Sequence, residues 1–261
     1  MTEPERYFRS LESFGDLFEG AAHVWQAVGR LAEWVRVRVG VVPPSWDVEE
    51  REVEALRLER GLLATVGLFE AERDLRLPQQ GIVIERGVRL EPGVVVKANC
   101  YICAGAELRH GAYVRGDAFI GPDAVVGHAT EVKNSLFMRH AEAGHFAYVG
   151  DSLLGENANL GAGTKLANLQ LRTPEEKSGG AAVTICVRVE GQLLDTGLLK
   201  LGAIVGDDTE IGCNAVTAPG TLLGPGCWVQ ANLTVPKGCY PGGHFLRPAA
   251  GGVSVVPRRG S

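Results

Sequence analysis

The sequence predicts a mainly β protein, a parallel β-helix of hexapeptide repeats with an N-terminal helical segment and a β-hairpin excursion. Every sixth residue from 84 to 132 is aliphatic, and a small or β-branched residue follows four positions after each of the first eight. Neither an α-helix nor an alternating strand has a period of six, whereas a coil of short strands and corners does. The aliphatic residues are Ile84, Leu90, Val96, Ile102, Leu108, Val114, Ile120, Val126 and Val132.

The composition suits such a solenoid and limits the partners. The 261 residues include 35 glycines and are 45% hydrophobic but only 22% charged, which favours a large core with many corners. The net charge of -5, without a basic run beyond Arg258-Arg259, argues against a nucleic-acid partner. No apolar stretch is long enough to span a membrane, and the N-terminus lacks an export pattern. We therefore expect a cytoplasmic protein that binds neither nucleic acid nor membrane.

The six cysteines show no ligand spacing except Cys100 and Cys103. Cys100 occupies a small inward position and Cys103 follows an inward isoleucine, so the two side chains should point in different directions. We favour a structural role for this pair over metal chelation, and reduced thiols throughout.

Residues 1–80 lack the hexad and predict a helical appendage. Asp16 and Glu19 resemble a capping box, Pro43-Pro44 ends the first helix, and Asp47 with Glu50 offers a second start toward Gly61. We expect this appendage to cap the end coil or flank of the β-helix; partner binding is the alternative. The apolar stripe of the first helix comprises Phe18, Ala21, Trp25, Val28, Ala32 and Val35.

The β-helix domain is predicted over residues 81–245, with an excursion over 169–199 and a loose tail over 246–261. The ladder slips to five residues at Phe137 and again at Leu154, which marks an irregular coil. Within the excursion, apolar residues alternate from Val183 to Val189, and Glu190-Gly191 predicts the turn of a hairpin. The ladder should return at Leu199.

Three hexads make one coil, so residues 18 apart should stack about 4.8 Å from one another. Lys97, Arg115 and Lys133 then form a basic column, which indicates an anion site because stacked like charges repel, although a solvated face is the alternative. His110, His128 and His145 form a second column. His145 differs from the other two because it lies in the irregular coil, near Tyr148.

Three blocks of residues resemble a known family. They are Thr130-Glu131-Val132-Lys133-Asn134, Ala143-Gly144-His145 with Tyr148-Val149-Gly150-Asp151, and Asn159-Leu160-Gly161-Ala162-Gly163-Thr164. From residue 84 to about 240 the chain resembles the left-handed β-helix acetyltransferase domain of bifunctional UDP-N-acetylglucosamine pyrophosphorylase/glucosamine-1-phosphate N-acetyltransferase. The segment 195–203, which follows the hairpin, is similar to related sugar-1-phosphate nucleotidylyltransferases.

The resemblance implies an N-acetyltransferase that moves acetyl from acetyl-CoA to the amine of an amino sugar 1-phosphate. It implies a homotrimer with the cofactor groove between subunits, no metal, and His145 as the general base. A neutral imidazole suits an amine that must lose a proton before it attacks a thioester. The implied sugar phosphate ligands are Arg115, Lys133, Tyr148, Asn159 and Lys200. The implied acetyl-CoA contacts are Ala162, Asn168, Cys213 and Ala231.

The sequence also departs from that family. Its nucleotidylyltransferase domain has no counterpart in this sequence, so we expect no pyrophosphorylase activity. Leu169 stands where the family usually has Tyr, and Cys213 where it often has Ser. Both departures fall in the implied cofactor groove.

Two other classes of function remain as alternatives. A hexapeptide carbonic anhydrase binds zinc through three histidines at subunit interfaces, and His140 with His145 has the five-residue spacing of such enzymes. A catalytically silent regulatory or scaffolding β-helix that binds sugar nucleotides is the second alternative.

Overall fold

The hexapeptide ladder forms a prism with three faces, and each face is one β-sheet of nine or ten strands. The structure is a computed structural model and describes residues 1–48 and 53–258. Within a coil, a strand of the first face is followed by one of the second face and one of the third.

In each face the strands stack in chain order from one end of the prism to the other. The first face contains Leu75–Leu77, Ile82–Ile84, Cys100–Ile102, Ala118–Ile120, Leu136–Phe137, Leu153–Leu154, Ala203–Val205, Thr221–Leu223 and Gly238–Tyr240. The second face contains Phe69–Glu70, Arg89–Leu90, Glu107–Leu108, Val125–His128, Glu142–His145, Asn159–Leu160, Glu210–Ile211, Trp228–Val229, His244–Ala249 and Gly252–Pro257. The third face contains Leu56–Glu59, Leu62–Thr65, Val95–Lys97, Tyr113–Val114, Glu131–Lys133, Tyr148–Gly150, Lys165–Leu166, Val216–Thr217 and Thr234–Val235.

The register of the strands confirms the predicted ladder and its two short steps. Val114 pairs with Val96 and Val132, each 18 residues away. In the irregular coil the step is 17, since Val132 pairs with Val149 and Phe137 with Leu154. The inward residues of these strands are fully buried and form one continuous core inside the prism. Each coil alone cannot bury this ladder, so stacking supplies the core.

Many corners of the coils use left-handed backbone at turn-forming residues. Asp117 and Asp123 have φ of 53° and 57°, values that Asp tolerates better than most residues. Ala129 occupies the equivalent corner position without being a turn former, yet its φ is 50°. The stacked coils above and below therefore set the backbone of this corner.

The main N-terminal helix begins ten residues later than predicted and covers the outer side of the first face. It spans Gln26–Val41, after short turns Pro4–Arg6 and Leu11–Phe14 and the one-turn α-helix Gly15–Phe18. No side-chain cap forms at Asp16, whose carboxylate instead accepts from the Trp34 indole at 2.8 Å. The buried stripe of the helix packs on outward residues such as Phe119 and Leu136, so the helix lies on the flank of the prism.

The prediction of a second helix toward Gly61 is wrong for the part of that segment that the structure describes. After the turn Pro44–Trp46, residues 56–59 form a strand antiparallel to Leu62–Thr65, which in turn pairs with Val95–Lys97. The predicted start at Glu50 lies outside the described residues. Antiparallel strands up to Leu77, rather than helices, therefore close the first coil.

The excursion contains the predicted hairpin, with strands Cys186–Val189 and Gln192–Asp195. Its turn residues Glu190 and Gly191 both have positive φ, which matches the twist of a two-residue hairpin. A short capped helix, Pro174–Lys177, precedes it. The ladder returns at Val205 and not at Leu199, because Leu199 is half exposed while Val205 pairs with Leu154.

The predicted loose tail is a regular antiparallel hairpin formed by His244–Ala249 and Gly252–Pro257. Leu246 is fully buried and pairs with Val229, so the inward ladder runs one coil further than predicted. All six cysteines are free thiols. No helix in residues 1–48 or 53–258 is long and apolar enough to cross a membrane.

Candidate functional site

One corner of the prism, between the second and third faces, carries the implied base and three of the implied acetyl-CoA contacts in a single column. Backbone hydrogen bonds connect successive residues of this column, because the residue that follows each one donates its N–H to the carbonyl of the column residue one coil below. The Gly163 N–H donates to the His145 carbonyl at 2.9 Å, and the Asn214 N–H donates to the Ala162 carbonyl at 2.8 Å. We call this stack the corner column. In order it contains His110, His128, His145, Ala162, Cys213 and Ala231.

The three histidines of the corner column are held differently. The rings of His110 and His128 stack at 5.6 Å between centroids, and their Nδ1 atoms lie 2.6 and 2.8 Å from the carbonyls of Pro92 and His110. The ring of His145 is exposed, and within the described ranges it makes no hydrogen bond; its ring contact is with Phe146 at 6.4 Å. Both nitrogens of His145 are therefore open to a ligand.

The outer side of the third face carries Arg115 and Tyr148. The Arg115 guanidinium is paired with the Glu131 carboxylate at 2.7 Å. The half-buried Tyr148 donates its hydroxyl to Oδ1 of Asn168 at 3.3 Å. Burial, together with the carboxylates of Glu131 and Asp151, raises the pKa of Tyr148, so its phenol stays protonated and remains a donor at neutral pH.

The basic column exists, but its charges are offset by neighbours within the chain. Arg115 is paired with Glu131, the ammonium of Lys133 lies 3.7 Å from Oδ1 of Asp151, and that of Lys97 lies 5.5 Å from the centre of the Tyr113 ring. Repulsion between the stacked cations therefore does not by itself require a bound anion. The case for an anion site depends on where Lys133 lies.

Lys133 lies beside a ladder of amide and carboxylate side chains at the corner between the third and first faces. Asp151, which is 5% exposed, accepts from the side-chain amide of Asn134 at 2.9 Å and from that of Asn168. One level down, Asn99 donates to Asp117 at 3.2 Å. This ladder is absent from the sequence-based predictions, although the spacing of 18, 17, 17 and 17 residues would have revealed it. Its members are Asn99, Asp117, Asn134, Asp151 and Asn168, and we call it the Asx ladder.

Lys133 and Lys200 line the same hollow of about 500 Å³ next to the Asx ladder. Its floor includes Asp117 and Asp151, and its outer walls are the N-terminal helix and the loop that follows the hairpin. Lys200 is exposed and, among residues 1–48 and 53–258, has no ion-pair partner. The hollow therefore offers one unpaired cation beside a second that is only loosely paired.

Asn159 lies on the second face, on the side of the corner column away from the third face. The Asn159 amide donates to Glu210 at 2.8 Å, and both border a hollow of about 360 Å³ that is also lined by Cys213 and Trp228. Asn159 therefore lies on a different face from Arg115, Lys133 and Tyr148. Asn168, implied as an acetyl-CoA contact, is buried in the Asx ladder next to Tyr148 instead of in this hollow.

The histidine pair considered for zinc lies at two ends of one strand. His145 ends the strand Glu142–His145, whereas His140 precedes it and lies 3.9 Å from Asp123. The part of the chain that the structure describes contains no group of three or more His, Cys, Asp or Glu side chains placed to hold a metal ion.

Family models match two parts of the β-helix. The GMPPB C-terminal domain matches residues 96–190, and the hexapeptide repeat of succinyl-transferase matches residues 202–237. The bifunctional protein GlmU of Methanocaldococcus jannaschii is 33% identical over 109 residues, which are 42% of this chain and 24% of that protein. The chain is a left-handed hexapeptide-repeat β-helix, and part of it is related to the GlmU proteins.

A second relative is the bifunctional sugar-1-phosphate nucleotidylyltransferase/acetyltransferase of Sulfurisphaera tokodaii. It is 38% identical over 96 residues, 37% of this chain and 22% of the relative. The chain thus spans less than a quarter of the length of both relatives. Among solved structures, the acetyltransferase domain of PglB from Neisseria gonorrhoeae with acetyl coenzyme A is 13% identical, with a TM-score of 0.29 over 67% of this chain and 58% of that one.

Proposed function

We propose that the protein is an N-acetyltransferase that moves the acetyl group of acetyl-CoA to the amine of an amino sugar 1-phosphate. The observation that carries this proposal is the corner column, in which His145 lies directly below Ala162, Cys213 and Ala231. A ligand that follows this edge past the small side chains ends at the imidazole. The resemblance of the surrounding sequence to sugar phosphate acetyltransferases supports the same substrates.

His145 would act as the general base. Its ring is exposed and free of hydrogen bonds within the described residues, so a nitrogen can accept the proton that the sugar amine must lose. The lone pair of the amine is then available for attack on the thioester carbonyl carbon; the C–S bond would break as the N–C bond forms, and CoA would leave as the free thiol after taking up a proton. A developing oxyanion could be met by the backbone N–H of Ala162, one coil above His145, because the N–H groups of Gly161 and Gly163 already donate to the carbonyls of Ile211 and His145.

The sugar phosphate would bind on the third face and in the hollow beside it. Arg115 and the Tyr148 hydroxyl lie on that face, and Lys133 and Lys200 line the hollow. Asn168 would hold Tyr148 in position, since it accepts from the Tyr148 hydroxyl, and Asp151 would hold Lys133, whose ammonium lies beside its carboxylate. We therefore assign Asn168 to the phosphate side of the site as a positioning residue for Tyr148.

The residues along the corner fit acetyl-CoA, which supplies an acyl group activated as a thioester. Ala162, Cys213 and Ala231 have small side chains, so the edge above His145 stays clear over three coils, about 14 Å. The hollow next to Cys213 adds the apolar surfaces of Trp228 and Phe245. Cys213 in place of Ser keeps a small side chain, so the departure from the family does not obstruct the edge.

A homotrimer would complete the site. Asn159 projects from the second face, while Arg115 and Lys133 lie on the third. The first face is covered by the chain's own N-terminal helix and hairpin, which leaves the second and third faces for contacts between subunits. A three-fold, head-to-tail arrangement of these two faces would bring Asn159 of one subunit toward Lys133 of the next.

The test is release of free thiol from acetyl-CoA with a panel of amino sugar 1-phosphates. The proposal requires release with at least one member of the panel and none with the corresponding N-acetylated sugar. Binding of sugar nucleotides without thiol release would instead favour the regulatory or scaffolding alternative. Zinc in stoichiometric amount, with hydration of carbon dioxide and no thiol release, would favour the carbonic anhydrase alternative.

A further inference from the structure

The N-terminal helix forms one wall of the hollow that contains Lys133 and Lys200. Val28, Gly29 and Ala32, one turn of this helix, line it together with the loop 197–200. The side-chain amide of Asn134, in the Asx ladder, lies 3.4 Å from the carbonyl of Val28. The helix is thus in contact with both sides of the hollow.

Gly29 is the point at which the helix and the loop meet. A Cβ added at Gly29 would lie 3.1 Å from Cδ2 of Leu198, which is closer than most Cβ atoms approach a neighbour. Gly40, near the end of the same helix, has nothing within 4 Å of the corresponding position. Glycine in a helix interior is unfavourable by about 1 kcal/mol relative to alanine, so at position 29 the missing side chain allows the close approach of Leu198.

The loop is fixed at both ends, and Leu198 fixes it in the middle. At one end the Thr196 hydroxyl donates to the carbonyl of Ile185 at 2.7 Å, and at the other the N–H of Leu201 donates to the carbonyl of Asn168 at 3.0 Å. Between them Leu198 is half-buried and packs with the apolar cluster of the helix, whereas Leu199 and Lys200 are exposed. The position of Lys200 therefore depends on where Leu198 is seated.

We propose that the N-terminal helix is part of the substrate site, because Gly29 seats Leu198 and thereby sets Lys200 beside Lys133 to bind the phosphate of the substrate. The proposal rests on the sugar phosphate site of the proposed function and adds to it a positioning residue from outside the β-helix. It assigns the helix a second role besides covering the first face. Gly29 itself touches no substrate and acts only through Leu198 and Lys200.

The main test replaces Gly29 with valine and uses Gly40→Val as the matched control. Both substitutions add the same side chain to the same helix, but only the first displaces Leu198. We expect Gly29→Val to raise KM for the amino sugar phosphate about tenfold or more, the equivalent of one charge-assisted hydrogen bond, with kcat nearly unchanged. Gly40→Val should leave KM at the wild-type value.

A double variant separates positioning from general damage to the fold. If Gly29 acts through Lys200, adding Gly29→Val to Lys200→Ala should raise KM no further than Lys200→Ala alone. A further rise as large as in the wild-type background would overturn the proposal. If Gly29→Val does not fold, Leu198→Ala tests the same contact from the loop, where a smaller side chain is easily accommodated. This variant should also raise KM for the amino sugar phosphate.

Hydrogen exchange tests the contact without relying on turnover. The N–H of Leu198 donates to the Thr196 hydroxyl at 3.1 Å, and this amide should exchange faster in Gly29→Val than in Gly40→Val. Equal exchange in the two variants overturns the positioning role, whatever the activity. Faster exchange in Gly29→Val, in a protein that turns over no amino sugar phosphate, would instead support the contact between helix and loop and reject the proposed function.

Discussion

Asn134 and Asp151, 17 residues apart in sequence, are joined at one corner of the prism by a hydrogen bond of 2.9 Å from the amide to the carboxylate. The second carboxylate oxygen accepts from Asn168. Because Asp151 is almost fully buried, these donors satisfy a charge that would otherwise be costly to desolvate. The same carboxylate lies 3.7 Å from the Lys133 ammonium, so the Asx ladder connects the stability of the corner to the candidate phosphate site.

Asp151→Asn should destabilise the protein by about 1–3 kcal/mol. Asn134 and Asn168 donate to different oxygens of the carboxylate, so in an amide of the same geometry the NH₂ group would face one of these donors. Urea denaturation measures the loss. Asp117→Asn is the control, since Asp117 is more exposed than Asp151 and, among the described residues, its side chain accepts from Asn99 alone; equal losses in both variants would contradict the role given to Asp151.

The fold could be predicted from the sequence wherever the period of six operates, because one inward aliphatic per hexad fixes both the strand and its face. Spacing alone stacks Val132 and Val149 correctly, including the short step. It does not place residues 56–59, because Leu56 and Leu58 are too few apolar positions to distinguish a strand from a helix. Only the pairing of this segment with the next strand shows that it is a strand.

The sequence predicts which residues of the candidate site stack in a column, but it does not predict which side chains contact one another. Spacing alone places Arg115 above Lys97 and His145 above His128. It does not reveal that Arg115 is paired with Glu131, because that ion pair depends on side-chain torsions. It also does not reveal the helix wall beside Lys200, because Gly29 and Leu198 meet across 169 positions of sequence.

Arg115→Ala and Lys133→Ala should each raise KM for the sugar phosphate without unfolding the protein. Each removes a contact worth about 1.5–3 kcal/mol to an anion, which corresponds to about tenfold or more in KM. Steady-state kinetics with the preferred sugar phosphate provides the measurement. Lys97→Ala is the control because Lys97 lies in the same column but contacts Tyr113; an unchanged KM in both of the first two variants would rule out the phosphate site.

Asp207 should tie the N-terminal segment to the β-helix. Its carboxylate, 1% exposed, accepts from the backbone N–H groups of Arg9 and Glu156, both at 2.8 Å. Asp207→Asn places an amide N–H against one of these donors and should cost about 1–3 kcal/mol of unfolding free energy. The neighbouring and exposed Asp208 offers the control, since Asp208→Asn should cost less than about 0.5 kcal/mol.

The stabilising contribution of Asp207 should also depend on pH. Burial raises its pKa above the usual value, although the N–H groups of Arg9 and Glu156 lower it in part. The folded state then holds the proton more tightly than the unfolded state. The stabilisation that comes from binding this proton, which is separate from the hydrogen bonds above, is full below the unfolded pKa of about 4 and is lost as pH rises through the folded pKa. Unfolding free energies measured from pH 3 to 7 should show that the stability difference between wild type and Asp207→Asn narrows as the pH rises. A difference that widens with pH would contradict a raised pKa for Asp207.

The protein should be a trimer in solution, and activity should depend on the trimer. In the proposed arrangement the second and third faces carry the two parts of the site, so a groove formed by one chain alone would lack either Asn159 or Lys133. Light scattering at decreasing protein concentration, with thiol release measured on the same samples, should show that the trimer fraction and the specific activity fall together. Full specific activity in a monomeric sample would reject the arrangement between subunits.

His145→Ala should lower kcat about 10²- to 10⁴-fold, the usual contribution of a general base, with little change in KM for the sugar phosphate. In the proposed site the phosphate is held by Arg115, Lys133 and Tyr148, which this substitution leaves in place. His110→Ala is a better control than His128→Ala, because the His128 ring contacts Phe146, the neighbour of His145, at 5.1 Å, whereas His110 lies a coil further away. If His110→Ala loses as much activity as His145→Ala, or if His145→Ala retains full kcat, then His145 is an ordinary corner residue and another group must take the proton from the amine.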